Sequence, residues 1–302
     1  MQNNIELISV DILEKYSGLS TQLIRMGKSL ALSSGWHYAL DWTWVASIIG
    51  EISGKTILDA GAGIGLMQWY FASKGANVIS VDRSDRTCIP FHLLNRFNVT
   101  GYRPEDSPLT IKEILNITNG KARLSSRISA IIRGIVGKTM MSGAKRIQKG
   151  SVRFLNGDLQ RLSEIPDGGV EIVVSISALE HNEQISDIKI IIQELERVLV
   201  PGGMMLITLP ASADKDWFFY PAYSWCFTES TLQDLFNFDK ATSSNFHQYG
   251  IIFEKLINSE ALKKSMSLRY YFQPKSGMPW GRWDPKYLPV GIIKVKQVQN
   301  RQ

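Results

Sequence analysis

The chain has 302 residues, a formal net charge of +6 at pH 7 and 44% hydrophobic residues, enough apolar content for a sizeable buried core. No stretch approaches the roughly 18 uncharged apolar residues of a membrane-spanning helix. The two cysteines, Cys88 and Cys226, are too few for a disulfide framework. The sequence therefore excludes an integral membrane helix bundle and a disulfide-rich scaffold, and it predicts a reduced, cytoplasmic globular protein.

From residue 52 onward, short strands rich in β-branched residues alternate with longer helical segments. The pattern predicts strands at 56–60, 78–82, 152–156, 170–177 and 204–210, and helices at 65–75 and 187–199. Such alternation is typical of a doubly wound, mostly parallel sheet of the α/β class. Two further predicted strands, 267–274 and 288–297, are expected to add an antiparallel edge.

The first predicted strand, TILDA, runs into three glycines, Gly61, Gly63 and Gly65, and then into a helix. A dinucleotide-binding turn would place its third glycine where Leu66 stands, and a P-loop would need a lysine directly after its second glycine. Asp59, at the end of the strand, would repel a pyrophosphate but suits a cationic amino-acid or sulfonium ligand. The turn therefore favours a sulfonium nucleoside over a phosphate ligand.

Two more acidic residues follow the next strands. Asp82 ends a strand seventeen residues after Gly65, where a carboxylate can accept hydrogen bonds from two ribose hydroxyls. Asp158 follows the strand at 152–156, where a carboxylate can meet an adenine edge. Because the carboxyl ends of parallel strands meet at one edge of a sheet, we expect these acids and the glycine turn to line one cleft.

The motifs ILDAGAGIG, VISVDRS, FLNGDLQRL, VVSISALEH and RVLVPGGMMLITLP resemble, in this order, those of the class I S-adenosylmethionine-dependent methyltransferases over residues 50–210. The resemblance implies a Rossmann-like, seven-stranded sheet whose last strand is antiparallel, with S-adenosylmethionine as the cofactor. It implies cofactor contacts that follow the chain from the methionine part to the ribose, the adenine and the sulfonium: Asp59, Ala60, Gly61, Gly63 and Gly65, then Asp82 and Arg83, then Asp158 and Leu159, and finally Ser177.

Two histidines are candidates for a general base. His181, in the SALEH motif after the fourth predicted strand, could take a proton from a substrate hydroxyl, or it could cap the loop or contact the cofactor. His37 is a second candidate. Some relatives carry a Glu-x-x-Glu-His metal set at this loop, but Ser177 stands where the first glutamate would be, so no metal site is expected.

Two aromatic clusters flank the predicted core, one at 36–44 and one at 217–225. Both can fold over the cofactor end of the sheet and shape the pocket for the methyl acceptor. Core packing is the alternative for each ring, because Trp and Tyr are amphipathic and often half buried. The residues predicted to contact the acceptor are Trp36, Tyr38, Tyr220 and Tyr223.

The positive charge is concentrated in one insertion. Residues 107–153 contain ten Lys or Arg and one acid, a net charge of +9, whereas the rest of the chain carries −3. Apolar residues recur at helical spacing within 123–147 and predict a basic amphipathic helix. Packing as a lid is the favoured interpretation, followed by contact with an anionic membrane and then by nucleic-acid binding, since the segment has no aromatic residue for base stacking.

Together these observations predict an N-terminal helical cap at 1–50 and a methyltransferase domain at 51–302, with a basic helical insertion at 102–150 and a C-terminal antiparallel region at 265–297. The predicted function is methyl transfer to a small molecule, on an oxygen of a lipid-linked, glycan or other surface-associated metabolite. Peripheral membrane contact would then run through 123–147. The alternatives are an RNA methyltransferase and a non-catalytic cofactor-binding module, whereas the spacing at Leu66 argues against a dehydrogenase.

Overall fold

The computed structural model describes residues 2–30, 32, 35–84, 86, 93, 96–101, 149–220, 222–260, 262 and 283–298. Residues 102–148 of the basic insertion, Cys88 and the predicted strand at 267–274 lie outside the described residues. Among the residues that are described, the centre of the fold is one mixed sheet with a separate two-stranded hairpin beside it.

The strands are, in chain order, β1 (Asn4–Leu7), β2 (Thr56–Ala60), β3 (Asn77–Asp82), β4 (Asn98–Thr100), β5 (Ser151–Asn156), β6 (Val170–Ile176), β7 (Leu199–Ala211), β8 (Trp217–Phe219), β9 (Ser224–Cys226), β10 (Ser243–Ser244) and β11 (Leu288–Val295). The sheet has the order β10-β1-β11-β7-β6-β2-β3-β5-β4, and β8 pairs with β9 in the hairpin. The six strands from β7 to β4 in this order are mutually parallel.

The helices are α1 (Asp11–Lys15), α2 (Ser17–Ser29), α3 (Tyr38–Ile48), α4 (Met67–Ser73), α5 (Ile185–Val198), α6 (Glu229–Phe236) and α7 (Tyr249–Ile257), with 3-10 turns at Leu179–His181 and Phe246–Gln248. α5 shows why such segments become helices. Its buried residues recur every three or four positions and form one apolar stripe facing the sheet: Ile188, Ile191, Ile192, Leu195 and Val198. Of the described helices, none combines the length and apolarity that crossing a bilayer requires.

The mostly parallel α/β sheet and its antiparallel last strand, β11, are confirmed, but the prediction of seven strands is wrong. Nine strands of the described residues join the sheet. β11 pairs antiparallel with β7 on one side and with β1 on the other, so it lies inside the sheet, and β10 extends the edge beyond β1. The unpredicted strands β1, β4 and β10 have two to four residues, too few for a readable alternating pattern. The domain boundary at residue 50 stays a prediction, and β1 joins residues 4–7 to the common sheet.

One close approach fixes α3 against this sheet. A Cβ at Gly291 on β11 would lie 2.3 Å from the ring of Trp44, so only glycine leaves room for the indole. Trp44 is buried, and its Nε1 donates to Glu6 of β1 at 3.0 Å. The N-terminal segment thereby packs on the strands that carry the loops of the candidate site.

Candidate active site at the carboxyl edge of the sheet

The glycine turn after β2 has a backbone that only glycine accepts at its first position. Gly61 has φ +72°, and a Cβ there would lie 2.4 Å from the Cβ of Ala178. The N–H groups of Gly61 and Ala62 both donate to the Val81 carbonyl, at 2.9 and 3.1 Å. The turn is therefore fixed on β3 and brought into contact with the loop that follows β6.

Asp82, at the end of β3, reaches back to the same turn. Its Oδ2 accepts the Gly63 N–H at 2.7 Å, and its Oδ1 accepts the backbone N–H of Ser84 at 2.8 Å and also the Ser84 hydroxyl. A carboxylate has about four acceptor positions, so capacity remains for further hydroxyl donors. This geometry fits the predicted role of Asp82 toward a ribose.

A buried polar chain supports the turn from below. Gln68 donates from Nε2 to the carbonyls of Gly65 and Gly63, at 3.0 and 3.3 Å, and accepts the Ser80 hydroxyl at 2.8 Å. Arg86 donates to the hydroxyl and the carbonyl of Ser80 at 2.8 and 2.9 Å. Its guanidinium, only 1% exposed, lies 4.3 Å from the ring centroid of Phe154. Two carbonyls of the turn are thus held by the Gln68 side chain, which fixes the shape of the turn.

Asp59 lies beneath the turn with 4% of its surface exposed. Burial raises the pKa of this carboxyl to about 7, the positive charge of Arg86 opposes the increase, and the negative charge of Asp82 adds to it. A carboxyl with this pKa is partly ionised at neutral pH and gains from a cationic ligand. The structure therefore fits the predicted interaction of Asp59 with the cationic end of a sulfonium amino acid.

The adenine side of the cleft is more open. The carboxylate of Asp158 accepts the Gln160 N–H at 2.9 Å and lies 3.8 Å from Nη1 of Arg83, with both charged side chains largely in solvent. Leu159 is buried, and its Cδ1 would lie 3.9 Å from a Cβ at Gly61. Ala60, also predicted to contact the cofactor, is fully buried, and its carbonyl accepts the Ser175 hydroxyl at 2.8 Å.

The loop after β6 begins with a conformation that a non-glycine residue rarely adopts. Ser177 has φ +47°, its N–H donates to the Thr208 carbonyl at 3.0 Å, and its hydroxyl donates to Glu180. Glu180 is fully buried, and burial raises the pKa of its carboxyl, while the charges of His181 and then His37 oppose the increase. Strained backbone and a buried acid together are typical of functional loops.

The two candidate bases differ in surroundings. The Nδ1 of His37 donates to Oδ2 of Asp41 at 2.6 Å, and both side chains are buried. The Nδ1 of His181 donates to the Tyr223 carbonyl at 2.8 Å in an exposed position. In both residues Nδ1 carries the proton, since its partner only accepts, so Nε2 has the lone pair. Only His37 also has a carboxylate behind it, the arrangement that orients and strengthens an imidazole base.

The structure divides the four predicted acceptor residues between two places. Trp36 is fully buried, and Tyr38 stacks on the imidazole of His37 with ring centroids 4.7 Å apart. Tyr220 and Tyr223 lie in the turn of the β8–β9 hairpin with 74% and 52% of their surfaces exposed. The first pair therefore lies beside His37, and the second pair lies at the surface, where the Tyr223 carbonyl accepts a hydrogen bond from His181.

Several site residues were not predicted from the sequence. Asp41 had a readable signal, because it follows His37 by four positions on a helix and therefore shares its face. Gln68, Ser80 and Arg86 gave none, since they meet only when β2, β3 and the following loop are folded. Across the described part of the chain, no three His, Cys, Asp or Glu side chains come together as a possible metal site.

Part of this chain is similar to known proteins. A family model described as "Methyltransferase domain" matches residues 122–207, which include β5, β6, α5 and most of β7. The tRNA U34 carboxymethyltransferase of Alteromonas mediterranea is 37% identical over 70 residues, which is 22% of this chain. The ubiquinone biosynthesis O-methyltransferase of Nitrosomonas europaea is 37% identical over 62 residues, or 20% of this chain. The chain spans only 21% and 26% of the length of these two relatives.

Among solved structures, a S-adenosylmethionine-dependent methyltransferase from Methanosarcina mazei aligns over 85% of this chain and 98% of its own, with 14% identity and a TM-score of 0.43. A phosphoethanolamine N-methyltransferase of Haemonchus contortus, solved with S-adenosylhomocysteine, aligns over 95% of this chain and 60% of its own, with 15% identity and a TM-score of 0.46. The family-model match covers the loops after β5 and β6, whereas the glycine turn and Asp82 lie before it in the chain. Residues 122–207 of this chain are therefore similar to a methyltransferase domain.

Proposed function

We propose that this protein transfers the methyl group of S-adenosylmethionine to an oxygen of a small-molecule acceptor. The observation that carries the proposal is the contact between the glycine turn and the loop after β6. A Cβ on Gly61 would meet Ala178 at 2.4 Å, so the cofactor cleft and the loop bearing Glu180 and His181 meet at one edge of the sheet. A methyl donor in that cleft would face the acceptor side directly.

The cleft has a suitable group for each part of the proposed cofactor. Asp82 is held by the Gly63 N–H at 2.7 Å and has free acceptor positions for ribose hydroxyls. Asp59, whose pKa is raised to about 7 by burial, gains from a nearby ammonium group. Leu159 gives an apolar wall beside Gly61, where an adenine ring would pack.

When bound, the sulfonium supplies an activated methyl group and leaves as a neutral thioether. The protein then has to hold an acceptor hydroxyl in line and remove its proton. We assign the proton to Nε2 of His37, since Asp41 holds the other ring nitrogen at 2.6 Å and stabilises the imidazolium that forms. The hydroxyl oxygen gains the methyl group and loses its proton to His37, so the transfer is balanced.

The chemical class of the acceptor is inferred from the sequence of the basic insertion. A lipid-linked, glycan or other surface-associated metabolite is favoured only by the charge and apolar spacing of 123–147, which lies outside the described residues. RNA remains the alternative acceptor that the basic charge allows, and one matched relative is named as a tRNA-modifying enzyme.

An activity assay on fractionated extract tests the proposal. Purified protein is incubated with labelled S-adenosylmethionine and lipid, glycan or nucleic-acid fractions, and labelled product is measured with wild type and with His37→Gln. We expect label in a small-molecule fraction and its loss in the variant. Label confined to the nucleic-acid fraction would establish the RNA alternative instead, and cofactor binding without label in any fraction would favour a non-catalytic module.

A further inference from the structure

Four buried polar atoms on the acceptor side have no hydrogen-bond partner within the structure. They are Trp36 Nε1, Asp41 Oδ1, Glu180 Oε2 and Thr208 Oγ1. A buried polar atom without a partner costs free energy, and native proteins keep such atoms rare unless water or a ligand completes them. Two more buried atoms of the described residues lack a hydrogen-bond partner, Trp69 Nε1 and Arg96 Nε. The ring of Trp69 packs on Phe97, with ring centroids 5.1 Å apart.

Sheet pairing places Thr208 on the face covered by α3. Thr208 of β7 is directly opposite Gly291 of β11, and side chains of paired residues point to the same face. The ring of Trp44 covers Gly291 on that face, because a Cβ there would lie 2.3 Å from it. Asp41 precedes Trp44 by three residues, less than one helical turn, so its side chain is on the same side of α3.

The loop after β6 connects Thr208 to Glu180 by hydrogen bonds through Ser177. The Thr208 carbonyl accepts the Ser177 N–H at 3.0 Å, and the Ser177 hydroxyl donates to Glu180. The Glu180 side chain is fully buried. His37 bonds to Asp41 at 2.6 Å. Thr208 is therefore linked to Glu180 through Ser177 and lies on the sheet face that α3, with Asp41, covers. The ring of Trp36 lies 5.2 Å from the imidazole of His37.

The mixture of these atoms restricts the ligand that could complete them. Asp41 Oδ1 needs a donor, the Trp36 Nε1 needs an acceptor, and the Thr208 hydroxyl can act as either. A phosphate or carboxylate only accepts and would face two buried acids. An ammonium group only donates and would leave the indole N–H without a partner. A hydroxyl group both donates and accepts and carries no charge to bury.

We propose that the unpartnered atoms of Asp41, Glu180, Thr208 and Trp36 form the acceptor subsite, and that it takes a neutral ligand through at least two hydroxyl groups. This inference rests on the proposed function, because it names the class of molecule that would receive the methyl group. It assigns Asp41 two tasks, orienting His37 with one oxygen and binding the ligand with the other. It also predicts that anionic substrates, including nucleic-acid phosphates, do not enter the subsite.

The test compares size-matched probes on protein saturated with S-adenosylhomocysteine. Catechol and methyl glucoside carry neighbouring hydroxyls, 1,2-dimethoxybenzene lacks the donors, phenyl phosphate is an anion and benzylamine is a cation. Binding is measured by ligand-observed NMR and calorimetry. We expect at least one of the two hydroxylated probes to bind at least tenfold more tightly than the other three, as two additional hydrogen bonds would give at about 1.4 kcal/mol per tenfold.

Thr208→Val removes the hydroxyl without changing the shape of the side chain. We expect the affinity of the hydroxylated probe to fall about fivefold, while the Tm of the free protein rises by about 2–4 °C because an unpartnered buried group is gone. Thr100→Val, on the exposed strand β4, is the matched control and should change neither value.

Two results would overturn the inference: equal or tighter binding of phenyl phosphate or benzylamine, or no binding by either hydroxylated probe. An unchanged probe affinity in Thr208→Val would overturn it as well. The same samples are titrated with S-adenosylmethionine. Failure of that titration alone contradicts the proposed function, whereas lost selectivity for hydroxyls with normal cofactor binding contradicts only the subsite.

Discussion

The two sides of the cleft are built in opposite ways. On the cofactor side, polar groups satisfy one another: Gly63 bonds to Asp82 at 2.7 Å, and Gln68 holds the carbonyls of the turn. On the acceptor side, Asp41 and Glu180 each keep a buried oxygen with no partner. The groups of the first side are held in place before any ligand arrives, whereas the second side keeps unpartnered buried atoms at a cost in stability. The difference indicates a preformed site for a constant cofactor beside a site whose ligand supplies the missing bonds.

Disabling the acceptor side alone should have the largest effect on catalysis. Asp41→Asn removes the carboxylate behind His37 and favours the wrong imidazole tautomer, so we expect kcat to fall by about 10²–10⁴-fold. The affinity for S-adenosylmethionine should stay unchanged, since the proposal assigns Asp41 to His37 and the acceptor and not to the cofactor. Steady-state kinetics and calorimetry measure the two values.

The matched control for that change is Asp239→Asn, at an exposed position after α6, which should have wild-type kinetics. His181→Ala is the competing variant. A loss of kcat in His181→Ala that exceeds the loss in Asp41→Asn would assign the proton to His181 instead.

A change confined to the glycine turn should weaken the binding of S-adenosylmethionine. Gly61→Ala forces a side chain to within 2.4 Å of Ala178 at a positive φ, so we expect the Kd for S-adenosylmethionine to rise about 100-fold. Gly54 also has a positive φ, +78°, but its Cβ would meet no atom within 4 Å. Gly54→Ala therefore isolates the backbone strain, and equal losses of affinity in both variants would show that the contact with Ala178 is irrelevant.

Asp59 links stability and binding through pH. Its pKa is raised to about 7 in the folded protein, chiefly by burial, with Arg86 opposing and Asp82 adding to the increase. The stability that its neutral form provides is complete below pH 4 and is lost as the pH rises to about 7, up to about 4 kcal/mol. Asp59→Asn should therefore stabilise the free protein at pH 8, as measured by denaturant unfolding.

The same group predicts the pH dependence of binding. Ionised Asp59 favours a cationic ligand, so the affinity for S-adenosylmethionine should increase as the pH rises through about 7. In Asp59→Asn this increase should be absent. A variant that keeps the wild-type pH profile would show that another group controls it.

The smallest effect is expected at the exposed rim of the cofactor side. Arg83 and Asp158 lie 3.8 Å apart with 60% and 45% of their side chains exposed, and surface pairs of this kind contribute little. Arg83→Ala should change stability by less than about 0.5 kcal/mol and cofactor affinity by less than about threefold. A tenfold loss of affinity in a titration would mean that Arg83 contacts the ligand directly.

The cofactor side was largely predictable because its signals are local. Asp59, the glycines and Asp82 each stand at a strand end, and parallel pairing of β2 with β3 brings them together without further information. The support behind them was not predictable. Arg86 looks like an ordinary surface charge in the sequence, and its burial over Phe154 depends on how the loop after β3 folds back.

The acceptor side depends on contacts between distant parts of the chain. Asp41, Glu180 and Thr208 are separated by up to 167 positions, and no periodic pattern relates them. Their meeting requires Trp44 to pack on Gly291 of β11. The added strands at the sheet edge have the same origin, because β1 finds its partner β11 almost 290 residues away.

The central claim is that this edge of the sheet binds S-adenosylmethionine through the glycine turn and Asp82. Calorimetric titration of the wild type, Asp82→Ala and the exposed control Asp239→Ala with S-adenosylmethionine tests it most directly. Removal of the hydrogen bonds from two ribose hydroxyls to a charged group should weaken binding at least about 100-fold in Asp82→Ala, while the control binds like the wild type. Absence of binding to the wild type, or equal binding to all three proteins, would contradict the account.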